Sequence, residues 1–240
     1  MTPLVLVHGF MGGSAQWALQ CRELGKTRDI VALDLPGFGD NAHLPPIDRI
    51  EGFADWVIDR LRTQGIKRYH LLGHSMGGTI VQDIALKDAQ HIDRLILYAT
   101  GSIGVLPGRF ESIATSKSRA QEDGAPATAR RIAATWFLDR DAAPAYPPCA
   151  AIAEKAGLPA IVAGLDAMEA WSGAARLPEI CAETLVIWGD RDRTYPWAQI
   201  ERLWQDIPKT RLAVIPGAAH TVHLEKPFLF NPVILDFLRP

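Results

Sequence analysis

Six short apolar runs punctuate the chain: Leu4 to Val7, Ile30 to Leu33, His70 to Leu72, Leu95 to Tyr98, Leu185 to Trp188 and Leu212 to Ile215. Each is too short for a helix, lacks strict alternation and is closed by glycine or another turn signal, the pattern of strands covered on both faces. Amphipathic segments lie between them. The stretch DRIEGFADWVIDRLRTQG carries Asp48 and Glu51 at capping-box spacing and stops at Gly65, while MGGTIVQDIALKDA and YPWAQIERLWQDI also show helical periodicity. Because parallel strands need crossover connections, this alternation predicts an α/β fold with a doubly wound, mostly parallel sheet.

One interval breaks the rhythm. From about Ile103 to Ile180 the helix-compatible pieces PATARRIAATWFLDRD and LPAIVAGLDAMEAWSGAA flank the proline-bearing APAYPPCA, with no convincing strand. The expected organisation is a core domain over residues 1–102 and 181–240, interrupted by a helical cap over residues 103–180.

Composition narrows the partners. The chain has 240 residues, 48% hydrophobic and 22% charged, enough to bury a full core. A net charge of -2 without a lysine or arginine run gives no reason to expect nucleic acid or an anionic membrane surface, so the expected ligand is a small molecule. Cys21, Cys149 and Cys181 are far apart and odd in number, which argues for reduced thiols. The N-terminus shows no basic region or cleavage site and no segment approaches a membrane span, so the expectation is a cytoplasmic protein.

The candidate chemistry centres on GHSMGG, residues 73 to 78. Gly73, Ser75 and Gly77 fall at a predicted strand-to-helix junction, where a sharp turn forces the serine into a strained conformation and lifts its hydroxyl above the sheet. The flanking glycines remove Cβ atoms that would clash. A serine hydroxyl needs a base to take its proton, and the base needs a carboxylate to orient it. Asp190 and Asp192 follow the fifth run, and His220 and His223 follow the last, giving the order Ser, Asp, His. His74 lies inside the turn with its side chain expected to face away from the hydroxyl. The two histidines of HTVH lack a third convergent ligand, and no G-x-G-x-x-G follows a strand, so neither a metal nor a nucleotide cofactor is expected.

Together LVLVHGF, DLPGFG, GHSMGG, GDRD with Pro196 four residues on, and GAAHTVHLEKP resemble the α/β-hydrolase superfamily over nearly the whole chain. The resemblance is to the compact, helical-capped serine hydrolases, which include carboxylesterases, enol-lactone hydrolases and pimeloyl-ester esterases. It implies a triad of Ser75, Asp192 and His220: the family's acid fits G-x-x-D-x-x-x-P, matching Gly189, Asp192 and Pro196, and its histidine fits G-x-x-H with a glutamate five residues on, matching Gly217, His220 and Glu225. His223 is then expected to be a partly exposed polar residue at a helix start. The resemblance also implies an oxyanion hole from the backbone N–H groups of Phe10 and Met76, with His8 and Gly9 shaping the first loop. If the family's strand order holds, both loops leave the sheet at its switch point.

The insertion is expected to form a lid over the acyl pocket. Trp136 and Phe137 share helical spacing with Ile132 and Ala133, a stripe more often core than substrate contact. Trp17, Trp171, Tyr195 and Trp197 are further pocket candidates, and Arg109, Arg119, Arg130 and Arg131 are candidates for a substrate carboxylate. Family members usually begin with an antiparallel strand pair that this chain lacks, so the DLPG strand is expected at a sheet edge, with oligomeric state open and a homodimer among the options. The implied reaction is hydrolysis of a small-molecule ester or lactone. Ser75 excludes the relatives that need a carboxylate at this turn, whereas carbon-carbon bond hydrolases and perhydrolases keep the serine, and a slow-turnover ligand receptor on the same fold is the non-enzymatic alternative.

Overall fold

In the computed structural model, which describes residues 1–108 and 111–239, the six apolar runs are strands of one parallel sheet. They are β1 (Leu4–Val7), β2 (Ile30–Leu33), β3 (Tyr69–His74), β4 (Ile92–Tyr98), β5 (Glu183–Gly189) and β6 (Thr210–Ile215), in the spatial order β2-β1-β3-β4-β5-β6. Successive strand side chains enter two separate cores, which is why the runs show no polar alternation. Val5, Val7, Leu71, Leu95 and Val186 pack into one, and Leu4, Leu6, Leu72, Ile96 and Leu185 into the other.

Helices cover both faces. The first core is closed by α2 (Ile50–Thr63), α3 (Met76–Lys87) and α8 (Trp197–Asp206) through Phe53, Ile80 and Leu203. The second is closed by α1 (Ala18–Leu24) and α10 (Pro227–Phe237) through Leu24, Phe230 and Ile234. The expected capping box of α2 does not form. Its N-cap is Arg49, without a side-chain bond, so Glu51 sits one position too early to reach back. The other end behaves as its sequence demands: Gly65 adopts φ +72°, and the Gly65 and Ile66 N–H groups bond the Arg62 and Leu61 carbonyls in a Schellman arrangement.

Between β4 and β5 the chain forms α4 (Ile113–Asp123), α5 (Ala125–Ala134), α6 (Tyr146–Ala153) and α7 (Leu158–Ala170). An isolated antiparallel bridge from Ile103 to Ser172 draws the two ends of this insertion together. Lys117 on α4 reaches Asp166 and Glu169 on α7, each at 2.6 Å, so the two helices are clamped side by side. The three cysteines are free thiols. Among the described residues no single helix is long and apolar enough to cross a membrane.

Topology sets the position of the functional loops. β1 lies between β2 and β3, with Val7 in register with both Leu33 and Gly73. The connections after β1 and β3 therefore start at the same level and leave to opposite sides, opening a crevice between them.

Candidate active site

Ser75 is the residue between β3 and α3 and has φ +56°, ψ -121°, a left-handed conformation that costs a non-glycine residue on the order of 1–3 kcal/mol. Its backbone is pinned from three directions: its N–H donates to the Tyr98 carbonyl at 3.0 Å, and its carbonyl accepts from Thr100 Oγ1 and from the Gly78 N–H, both at 2.8 Å. The neighbouring glycines are required by close approach. A Cβ on Gly77 would lie 2.4 Å from the carbonyl oxygens of Val7 and His8, and one on Gly73 2.3 Å from the Gly77 carbonyl oxygen. Helix α3 thus begins hard against the end of β1, with the serine at its tip.

The two acids after β5 separate cleanly. Asp192 presents Oδ2 to His220 Nδ1 at 3.0 Å, while its Oδ1 accepts the Thr194 and Tyr195 N–H groups at 2.7 and 3.3 Å. Asp190 turns away, accepting the Gly217 N–H at 2.6 Å and so bracing the loop that carries His220. Both side chains of the Asp192–His220 pair are shielded from solvent, which strengthens the contact relative to a surface pair. A carboxylate on Nδ1 leaves Nε2 as the nitrogen able to take a proton. Ser75 and His220 line the same pocket; among the described residues the Ser75 hydroxyl makes no hydrogen bond, a spacing that tightens in hydrolases when substrate arrives.

His8 organises the loop opposite. Its Nδ1 lies 2.7 Å from the Gly9 carbonyl and its Nε2 accepts the Leu35 N–H at 3.0 Å, which fixes the proton on Nδ1. Burial holds the ring below the ordinary histidine pKa, which favours the neutral form in that role. Among the described residues the Phe10 and Met76 N–H groups donate to no other group. Met76 follows Ser75 directly in the chain, and Phe10 lines the same pocket as Ser75.

A layer of rings underlies the pocket, one of which, His74, also contributes to its lining. His74 stacks on Tyr98 at 4.5 Å and sits 4.6 Å from the His220 ring, and Trp17 covers His223 at 4.6 Å. The His220 carbonyl receives both His74 Nε2 and the Tyr98 hydroxyl, at 3.1 and 3.0 Å. His223 is fully buried rather than partly exposed, with Nδ1 2.9 Å from the Tyr98 hydroxyl, and burial pushes its pKa down to about 3. It is the second residue of a short helix, α9 (Val222–Glu225), near the helix start its position in sequence implies, but the helix starts inside the molecule.

The pocket is a narrow cavity of about 50 Å³ lined by Phe10, Gln16, Leu106, Ile132, Thr135, Trp136, Met168, Thr194 and Tyr195 around Ser75 and His220. Of the expected aromatics, Trp136 and Tyr195 line it, and Tyr195 lies parallel to the His220 ring at 5.8 Å. Phe137, next to Trp136, points into the core of the insertion against Tyr146, because α5 ends at Ala134 and the two residues face opposite ways. Trp17 does not reach the pocket and instead supports the ring layer below it. Trp171 is buried at the base of the insertion, outside the lining, where its backbone carbonyl accepts the Gly104 N–H. Trp197 is 40% exposed against Trp188. Arg119 and Arg131 pair with Glu111, and Arg130 with Glu154, and none of the three lines the cavity; Arg109 lies outside the described residues. Sequence reasoning missed Gln16, Thr135, Leu106 and Met168. Only Thr135 carried a usable signal, three residues beyond Ile132 on the same stripe.

The profile of the Alpha/beta hydrolase family matches residues 4–233 of the chain. A relative from Agrobacterium fabrum named "Putative carbamate hydrolase RutD" is 28% identical across 99% of this chain and 93% of its own length. The 2-hydroxy-6-oxo-6-phenylhexa-2,4-dienoate hydrolase of Comamonas testosteroni is 27% identical across 98% of this chain and 87% of its own. Among solved structures, the enol-lactonase from Burkholderia xenovorans LB400 superposes with a TM-score of 0.89 at 25% identity, covering 99% of this chain and 91% of that one.

Proposed function

The chain belongs to the alpha/beta hydrolase family and is a hydrolase, and from that premise we propose that it is a serine-dependent carboxylic-ester hydrolase acting on small or medium acyl esters or lactones. The observation that carries this reading is the buried Asp192–His220 contact set in one pocket with the strained Ser75. Ser75 Oγ attacks the acyl carbon as its proton passes to His220 Nε2. The resulting imidazolium is stabilised by Asp192, and the oxyanion lies between the Phe10 and Met76 N–H groups. His220 then protonates the departing alkoxide, leaving an acyl-enzyme. Water enters, gives a proton to His220, and releases the acid and the free serine.

The enol-lactonase likeness supports a lactone among the substrates, since ring opening needs the same attack with the leaving oxygen still tethered. The Agrobacterium relative's name extends the class to carbamates, whose carbonyl carbon is attacked in the same way. The Comamonas relative supports a second reading, cleavage of a carbon-carbon bond next to a carbonyl.

A chain-length series of p-nitrophenyl esters, run with Ser75→Ala beside the wild type, tests the proposal. The expected result is turnover by the wild type and a loss of roughly 10⁴-fold or more in kcat in the variant. Equal rates in the two proteins overturn it. No turnover by folded wild type shifts the assignment to the carbon-carbon reaction.

A further inference from the structure

The helical insertion does more than roof the pocket, because one of its strips of backbone is bonded to the loops carrying both Asp192 and His220. The Trp136 carbonyl accepts the His220 N–H at 3.1 Å, the Thr221 N–H at 3.2 Å and the Thr221 hydroxyl at 3.1 Å. Two residues on, the Leu138 carbonyl accepts from Arg193 at 3.0 Å, directly beside Asp192 in sequence. Glu225 closes the arrangement. Its Oε1 accepts the Leu138 N–H at 2.6 Å and its Oε2 accepts the Ala219 N–H at 2.7 Å, so one carboxylate spans the insertion and the residue before His220.

Bonds to an ionised acceptor at these lengths are about twice as strong as neutral ones. Glu225 therefore fixes the spacing between residues 136–138 and the His220 loop, while Trp136, on the same strip, forms part of the pocket wall. With only about 50 Å³ of water-accessible space beside Ser75, a bulkier acyl group is expected to press on this wall. Moving the wall pulls on the backbone of His220 directly through its own N–H and, one residue on, through the two bonds from Thr221.

We propose that Glu225 is a positioning residue that couples the seated insertion to the alignment of His220, so that the enzyme turns over short acyl groups fastest and loses its own alignment when a long one opens the pocket. The proposal rests on the serine-hydrolase reading above and adds to it a residue that touches neither substrate nor the reacting atoms. It makes acyl-length selectivity a property of a carboxylate outside the pocket.

The test is Glu225→Gln, which keeps the volume but offers one acceptor oxygen for two N–H donors and turns an NH₂ toward the second. Active sites are counted by mass after complete reaction with a small fluorophosphonate, and rates are expressed per labelled site. The expected outcome is a fall in kcat for p-nitrophenyl acetate of about tenfold or more, the scale of a small misplacement of a catalytic group. The same variant should bind p-nitrophenyl octanoate with a lower KM than wild type, because the wall now yields. Loss of folding alone lowers the labelled fraction and moves neither constant. In parallel, amide hydrogen exchange at Leu138, Ala219 and His220 should quicken together. Per-site constants for both esters within twofold of wild type, or unchanged exchange at the three amides, overturn the proposal. The exchange measurement needs no turnover, so it still decides the coupling if Ser75→Ala has overturned the ester reading.

Discussion

One residue, Arg191, separates Asp190 from Asp192, and the difference in what the two acids' oxygens touch predicts very different effects of the same substitution. Asp192→Asn keeps the shape, and because the Thr194 and Tyr195 N–H groups hold the amide oxygen, its NH₂ faces His220 Nδ1, which favours the tautomer with the proton on Nε2 and removes the base; kcat on a p-nitrophenyl ester should fall by about 10³ to 10⁴. Asp190→Asn retains an oxygen for the Gly217 N–H, so its kcat should change by less than about fivefold. Equal losses in the two variants would mean that the acid has been misassigned. Asp192 was legible because its spacing to Gly189 and Pro196 is a local feature of sequence. His223 was not. Its neighbours Thr221 and Glu225 are polar, and only the approach of Trp17 and Tyr98, more than a hundred residues away along the chain, puts its ring in the interior. The pocket failed in the same way for Trp17 and Trp171, since no spacing rule reports which side of an insertion an indole takes.

At the level of elements, strands and the sharp turn were readable because both are set by short-range constraints. Six apolar runs gave six strands within a few residues, and the glycines of GHSMGG stand where α3 meets the end of β1. The start of α2 was misread by one residue, because capping depends on which backbone N–H groups are left over and not on composition alone. The contact between α3 and β1 supplies a test. Gly77→Ala places a methyl group 2.4 Å from two carbonyl oxygens, which are backbone atoms and cannot rotate away. The helix must shift, at a cost of about 1–3 kcal/mol, and for a chain of this size the melting temperature should drop by roughly 2 to 12 °C. The shift also moves the Met76 N–H relative to Phe10, so kcat should fall with it. A variant with wild-type melting temperature and rate would show that the close approach is not maintained in solution.

For the molecule as a whole, enclosing a layer of neutral rings beneath the pocket makes stability depend on pH in a defined direction. His8, His74 and His223 are buried, and burial holds each below the ordinary histidine value of about 6.5, His223 at about 3. In the unfolded chain the same three side chains take up protons as pH falls through about 6.5, while in the folded protein they remain neutral. The unfolded state therefore binds more protons, and stability that is complete above about pH 7 is lost as pH falls from there toward the depressed folded values. Each such group contributes up to about 1.4 kcal/mol per pH unit between its unfolded and folded values, and a single one held as low as His223 is already a sizeable part of a typical 5–15 kcal/mol. The urea midpoint should be flat from pH 7 to 8 and decline steeply between pH 6 and 4.5. Histidine ring proton resonances in the folded protein should show the His223 imidazole untitrated down to pH 5 and those of His8 and His74 titrating below the ordinary histidine value. A midpoint that stays constant down to pH 5, or ring signals that all titrate near 6.5, would mean that water reaches this layer and that His220 rests on a softer support than its hydrogen bonds to His74 and Tyr98 imply.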